Sequence, residues 1–314
     1  MSQHRDFYRP DPDAERIGNA LVAEAGRLVA RAGLQASDFA LTLLLHPARP
    51  ATGPALPTGF SYRGEVAFYP CSVVKMFLVV AAQLALDAGR LTPHDELDRA
   101  MRDMIRWSSN TATNYGIDLL SETTGDTLLG EAEMRDWVEA RNRINRFYAE
   151  LRPALCADVN LTQKLMDDDR YGREKMFVQW GGANNHNRLS SDAAAWLLAD
   201  VMCGRVLPPG SGERIAGFLH RPLTDDFVSI QTAQVNGYLG GSLPRDAQLW
   251  SKAGRTLWTG DPLASYRRHD AAHVELATGQ RFTLAVFTQG QAIAVDDAFL
   301  PRLGKLACEL VAAH

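Results

Sequence analysis

The sequence predicts a mixed α/β fold of the α+β kind: an antiparallel sheet flanked by N- and C-terminal helices, plus an all-helical lobe. Three observations lead to it. Segments of strand character fall in two groups, two near the N-terminus and three or four near the C-terminus. The stretch between them reads as a run of helices. An amphipathic helix opens the chain and another closes it. Strands from both ends can share one sheet only if the intervening helices bulge out as a separate body. The expected division is therefore 1–69 with 205–314 for the sheet-plus-helix lobe, and 70–204 for the helical lobe, with a long irregular loop at 153–190. A cleft between two such lobes is the default place for an active site.

Each element has a local reason. Residues 13–32 carry Ile17, Leu21 and Leu28 at helical spacing with Val22 and Val29 beside them, and stop at Gly33. FALTLLL (39–45) is a buried strand by its unbroken apolar run, the Pro/Gly-rich 46–59 a loop, and 61–69 a second strand. Helices follow at 72–89, ended by Gly89; at 93–106, with Thr92 as cap and Pro93 at the first position; at 110–123; and at 131–152. After the irregular 153–190, LSSDAAAWLLADVMCG is a capped helix closed by Gly204. A short helix near 211–219 leads into strands at 227–235, 247–253, 265–276 and 281–289, and a last helix spans 295–313. No internal repeat or low-complexity tract interrupts this order.

At 314 residues, with 46% hydrophobic and 22% charged content, the chain is long enough to bury a large core. Its net charge of −4 gives no electrostatic reason to expect nucleic acid or an anionic membrane as partner. The first 18 residues are polar and no run is long enough to span a bilayer, so the expected location is the cytoplasm. Finding processed protein in a periplasmic or culture fraction would overturn that expectation. The four cysteines, Cys71, Cys156, Cys203 and Cys308, have no metal-ligand spacing and are expected as free thiols. No cofactor or metal is expected.

Basic residues are skewed, with 28 arginines to five lysines, so each lysine is informative. One stands in YPCSVVKMF (69–77), three residues after a serine and at the start of an apolar helix. Positions three apart share a helix face, so Ser72 and Lys75 point the same way. A buried lysine has to be used by something nearby, and one with a lowered pKa can take the proton of a serine nucleophile. The first turn of a helix also presents free N–H groups to a developing oxyanion. Against this stands the plain alternative of an N-cap serine and an outward lysine. By composition Ser-x-x-Lys should arise roughly 0.2 times, and it occurs once.

Two further motifs join it. MIRWSSNTATN (104–114) puts Ser108, Ser109 and Asn110 where one helix ends and the next begins. LWSKAGRT (249–256) puts Lys252 on an apolar strand ahead of Ala253 and Gly254, a glycine that points to close approach of a substrate backbone. In this order, Ser72-x-x-Lys75, Ser108-Ser109-Asn110 and Lys252-Ala253-Gly254 make the chain resemble the penicillin-recognising serine enzymes, class A β-lactamases above all, whose S-x-x-K, S-D-N and K-T-G elements are a known set. The resemblance extends through NTATN and the SSDAAAWLL helix to the closing strands and helix, about residues 13–313. It implies a β-lactamase/transpeptidase-like fold and a serine hydrolase that opens a lactam or related small amide. Ser72 would be the acylated nucleophile, Lys75 its base or proton relay and Ser108 a proton shuttle to the leaving nitrogen. Asn110 would hold the substrate amide and Lys252 would help bind a substrate carboxylate. Gly254 and Arg255 would complete the substrate edge, with the N–H groups of Ser72 and Arg255 as oxyanion hole. Related outcomes are an amidase, esterase or penicillin-binding-like peptidase acting on another substrate, and a low-turnover binding protein on the same fold.

The chain departs from that pattern in three places. Ser109 replaces aspartate. Ala253 replaces a threonine hydroxyl that meets the substrate carboxylate; Arg255 could compensate, though strand alternation points it to the other face. The Glu-x-x-Leu-Asn loop that activates the deacylating water is absent from 153–190, where Glu174 and Asp168 are the first substitutes to consider. HDAAH (269–273) has the outline of a zinc motif but runs toward a Thr-Gly turn and a strand, where that motif needs a helix. Cys71 is expected as a packed thiol, and the arginines of ARNRINRFYAELR (140–152) as a solvated helix face.

Overall fold

The computed structural model describes residues 6–47, 55–125, 127–165, 170–182 and 185–314. In chain order the strands are β1 (Arg9–Pro10), β2 (Phe39–His46), β3 (Thr58–Tyr62), β4 (Ala67–Phe68), β5 (Leu189–Ser190), β6 (Gln248–Thr256), β7 (Arg267–Glu275) and β8 (Arg281–Thr288). The helices are α1 (Pro12–Arg31), α2 (Val74–Asp87), α3 (Asp95–Arg106), α4 (Asn110–Ser121), α5 (Glu131–Arg141), α6 (Arg143–Leu151), α7 (Pro153–Cys156), α8 (Gly172–Gln179), α9 (Ser191–Met202), α10 (Pro209–Leu219), α11 (Asp225–Ser229), α12 (Gln291–Ala294) and α13 (Phe299–Ala312). The main sheet runs β1-β3-β2-β8-β7-β6, antiparallel except where β1 joins β3. N-terminal β2 thus pairs with C-terminal β8, the closure the sequence requires.

β2 is buried at every position, which explains its unbroken apolar run. Phe39, Leu41, Leu43 and Leu45 face the core shared with α1 and α13, while Ala40 and Leu44 face the core shared with α2 and α9. Between the latter, Thr42 donates to Asp192 Oδ1 (2.7 Å), tying the sheet to the first turn of α9. α9 packs on β2, β7 and β8, so it underlies the sheet as well as closing the helical body. α2 is apolar on all sides because it is the central helix of that body. Gly89, at φ +66°, ends it in the left-handed conformation that glycine reaches without strain.

The structure corrects several sequence expectations. The strand expected at 227–235 is α11 followed by a 3-10 turn, Gln231–Ala233. Asp225 and Asp226 complement the helix N-terminus there, and the buried Phe227 and Ala233 do not alternate as a strand would. The helix expected at 131–152 breaks at Asn142, whose Oδ1 accepts from Asn145 Nδ2 (2.9 Å). The helix expected at 93–106 begins two residues later, and His94 rather than Thr92 caps it, its Nδ1 accepting the Leu97 N–H (3.2 Å). Residues 153–190 hold α7, α8 and β5 rather than irregular chain alone.

Arg141 is not on a solvated face. It is fully buried, bonds Glu174 through both guanidinium ends (2.8 and 3.1 Å) and lies over the Trp137 ring. Its neighbours Arg143 and Arg146 remain on the surface, paired with Glu122 and Glu139.

HDAAH lies on β7, and its histidines are satisfied core residues. His269 bonds the Tyr69 carbonyl (2.8 Å) and accepts the Thr288 N–H, while His273 and His46 both bond the Thr283 hydroxyl. Burial pushes His269 and His273 down to about 3, and burial, then the charge of His273, pushes His46 well below the usual histidine range. The unfolded chain therefore binds protons at these groups between about pH 6.5 and 3 that the folded chain refuses, so stability falls with pH across that window. His269 and His273 should each cost about 2 kcal/mol at pH 5, and His46 acts in the same direction. Asp270, raised to about 7 by burial, works oppositely: its folded form takes up a proton first, offsetting about one histidine. We expect urea unfolding to show a net loss of at least about 1–2 kcal/mol between pH 7 and pH 5, His46 adding to it. Equal or greater stability at pH 5 would contradict this.

Candidate active site

Ser72 sits in a 3-10 turn, Cys71–Val73, that feeds directly into α2. The turn begins with Cys71 at φ +51°, a left-handed position that a cysteine occupies only under constraint from its surroundings. The constraint is β6. A Cβ added to Gly254 would lie 2.6 Å from the Ser72 nitrogen and 2.8 Å from Cys71 Cβ. Gly254 is therefore glycine because the backbone of this turn presses on it, where the sequence suggested a substrate backbone. Arg255 is the next residue of β6, a strand that packs on this turn. Cys71 itself is a packed thiol, pushed up to about 12 mainly by burial.

One turn into α2, Lys75 is fully buried. Its Nζ donates to Asn110 Oδ1 (2.8 Å), to the Ser108 carbonyl and to Ser108 Oγ (3.3 Å). Ser108 stands at φ +57° in the short link between α3 and α4, so the turn bends both its hydroxyl and its carbonyl toward Lys75. Ser109 follows as the α4 N-cap, its Oγ accepting the Ala112 N–H (3.2 Å), the plain capping role. From β6, Lys252 Nζ reaches the same Ser108 Oγ (3.1 Å). The three motifs thus meet at one hydroxyl held between two lysine Nζ atoms.

Lys252 is fully buried, and its three N–H bonds go to Ser108 Oγ, the Ala253 carbonyl (2.7 Å) and Gln234 Oε1. Burial first, then the charges of Lys75 and Arg221, pull its pKa well below the usual lysine range. Arg221 is also buried and donates to the carbonyls of Ile105 and Ser251. Asp270 on β7 is the buried carboxylate that acts against these cations.

A cavity of about 730 Å³ opens beside this network. Ser72, Asn110 and Arg255 line it; Lys75, Ser108, Lys252 and Gly254 do not form its wall. Arg255 is thus one residue of β6 that the cavity reaches, β6 being the edge strand of the sheet. Its nearest acid is the exposed Asp297 at 3.9 Å, which Arg268 holds at 2.6 Å. Trp258, largely exposed, forms part of the mouth.

The irregular segment contributes Leu165, whose backbone N–H and carbonyl are both held by the Asn114 side-chain amide (2.9 and 2.8 Å). Asn114 lies one turn after Asn110 on α4, so NTATN carries a substrate-side and a loop-side asparagine on one face. Glu174 does not line the cavity and spends both oxygens on Arg141, with Lys164 at 3.8 Å. Asp168 lies outside the described residues. Among the described residues of the wall the one carboxylate is Asp261, bonded to His186. The sequence reading missed Gln234, Arg221, Asp270, Asn114 and Leu165; only NTATN carried a signal, since the others become neighbours of the site through the fold.

A sequence profile of the β-lactamase enzyme family matches residues 96–311. The chain belongs to that family. Its fold is shared with the β-lactamase of Sphaerobacter thermophilus (17% identity, 94% of this chain and 98% of that one, TM-score 0.63). It is likewise shared with a PBP-A variant solved as an acyl-enzyme complex with penicillin G (17% identity, 94% and 97%, TM-score 0.60). A third structure, the class A β-lactamase of the last common ancestor of Gram-negative bacteria, is 20% identical over 94% of this chain and all of that one, at TM-score 0.59. The curated proteins contain no match. Among the described residues no helix of this family member is long and apolar enough to cross a membrane, and no cluster of three or more His, Cys, Asp or Glu is placed to hold a metal ion.

Proposed function

We propose that this β-lactamase family member is a serine hydrolase that opens a lactam or related small amide through an acyl-Ser72 intermediate. The observation that carries the reading is Ser108 Oγ, within 3.3 Å of Lys75 Nζ and 3.1 Å of Lys252 Nζ, next to a cavity lined by Ser72. Buried lysines so close, with Arg221 nearby and Asp270 opposing, relieve their repulsion if one amine is neutral. Lys75 in that form takes the Ser72 proton as Oγ attacks the carbonyl carbon. The N–H groups of Ser72 and Arg255 receive the oxyanion, each worth about 3 kcal/mol to the transition state. As the tetrahedral adduct collapses, the C–N bond breaks and Ser108 passes the proton from Lys75 to the departing nitrogen. Asn110, on the cavity wall, holds the substrate amide.

A second reading, slow turnover or mere trapping of the acyl group, is favoured by the loop. Where a base would have to face the ester, the described wall offers Leu165 and an Asp261 already engaged by His186. Acylation should therefore outrun deacylation. The test is a chromogenic cephalosporin followed by rapid mixing and intact-protein mass spectrometry: a burst, a slow steady state and one acyl mass on Ser72 are expected. Fast turnover with neither burst nor adduct would show a working base in the loop.

The substrate is expected to carry a carboxylate, with Arg255 rather than Lys252 as its partner, since the three Lys252 bonds are made within the protein. Arg255→Ala should weaken carboxylate-bearing substrates by about 10- to 100-fold, the value of a hydrogen bond to a charged group, and neutral ones far less. Lys252→Ala should lower both alike, because it releases Ser108. Steady-state kcat/KM on a matched acid and methyl ester decides the point, and the opposite pattern would return the carboxylate to Lys252.

A further inference from the structure

We propose that Gln234 is a positioning residue: its side-chain amide holds the Lys252 ammonium on the Ser108 hydroxyl and, being neutral, leaves the buried heart of the site with an excess of positive charge. The proposal rests on the reading of Ser108 and Lys252 as parts of the acylation machinery. Gln234 comes from none of the three motifs. It ends the 3-10 turn after α11, where its N–H closes on the Gln231 carbonyl (3.1 Å) and its backbone is left-handed, at φ +57°. Glutamine in that region carries backbone strain that glycine would not, so its side chain is the reason to look for a role there. Its Oε1 takes one of the three Lys252 N–H bonds, and Ser108 Oγ takes another. Removing the amide frees the ammonium to swing about its stem and lengthens the bond to Ser108.

The neutrality of that amide matters as much as its place. The charged and titratable groups acting on Lys252 are Lys75 from α2, Arg221 from the segment after α10, Asp270 from β7 and the Cys71 thiol from the turn before α2. With the thiol protonated this is a set of cations opposed by a single carboxylate. A glutamate at 234, identical in shape, would add a second carboxylate in contact with Lys252. It would hold Lys252 charged and cancel much of the field that steadies an oxyanion.

The test uses the five lysines, few enough to follow singly by NMR in protein labelled with 13C at lysine Cε. Gln234→Glu should raise the Lys252 titration midpoint by at least about one pH unit, and Gln234→Gly, which removes the amide together with the left-handed strain, should lower it. With a carboxylate-bearing β-lactam the acylation rate of Gln234→Glu should drop by about tenfold or more, its alkaline limb moving in the same direction as the Lys252 midpoint. A purely structural role would change thermal stability and leave the Lys252 titration in place. An unmoved Lys252 midpoint in both folded variants overturns the proposal. Because the titration needs no substrate, it stands or falls separately from Ser72 acylation: a shifted midpoint in a chain that no β-lactam acylates supports the positioning role and sinks the hydrolase reading.

Discussion

A Ser72→Ala variant should take up no acyl group from any β-lactam, while Lys75→Met should keep the proposed nucleophile but acylate about 10²- to 10⁴-fold more slowly, the usual worth of a positioned general base. The two should differ in kind. Ser72 is only partly buried and lines the cavity, so its loss removes the attacking atom and leaves the fold intact. Lys75 is fully buried in bonds to Ser108 and Asn110, so its loss also releases the α3–α4 link. Methionine fills the stem of the lysine without its charge, which keeps the core of α2 packed. Stopped-flow acylation with mass-spectrometric detection reads both. An adduct in Ser72→Ala at the wild-type rate would move the nucleophile elsewhere, and an unchanged rate in Lys75→Met would leave Lys75 as a structural group.

Replacing Leu165 with glutamate should release the acyl group about 10²- to 10⁴-fold faster, turning a burst into continuous turnover. Leu165 lies in the same wall as Ser72 and Asn110, and Asn114 grips its backbone from both sides, so the new carboxylate would project from a fixed point of the loop. Unlike Glu174, it would not be committed to Arg141. The half-life of the Ser72 adduct, followed after removal of free β-lactam, is the readout. A half-life unchanged in Leu165→Glu, with Asn114 still holding the loop, would mean that water cannot reach the ester from this side.

Much of the architecture was legible because its causes are local. The buried α2 and β2 follow from unbroken apolar runs, and α1 and α13 from helical spacing. The failures have local causes too. Residues 227–235 mix apolar and polar side chains without a clear period, and the charge of Asp225 and Asp226 at a helix start outweighed β-branched content. Arg141 was misplaced because a run of arginines reads as a solvated face unless a buried partner such as Glu174, 33 residues on, is known.

The same division runs through the site. Ser72 and Lys75 are one helical turn apart, Ser108 and Asn110 share a helix junction, and Lys252 and Gly254 share a strand, so short-range geometry announced each pair before any fold was known. Which of these groups meets which is a long-range matter. The sheet edge brings Lys252 to Ser108 across 144 residues of chain, and sets Arg255 among the residues that line the cavity. The three Lys252 bonds are completed by Gln234 and Ala253 as well as Ser108, and Leu165 is held on the cavity wall that Ser72 shares because Asn114 reaches 51 residues along the chain to grip it. Periodicity encodes which face a side chain takes. Packing alone sets its partners, because hydrogen-bond donors and buried charges are satisfied by whatever the fold brings within about 3 Å.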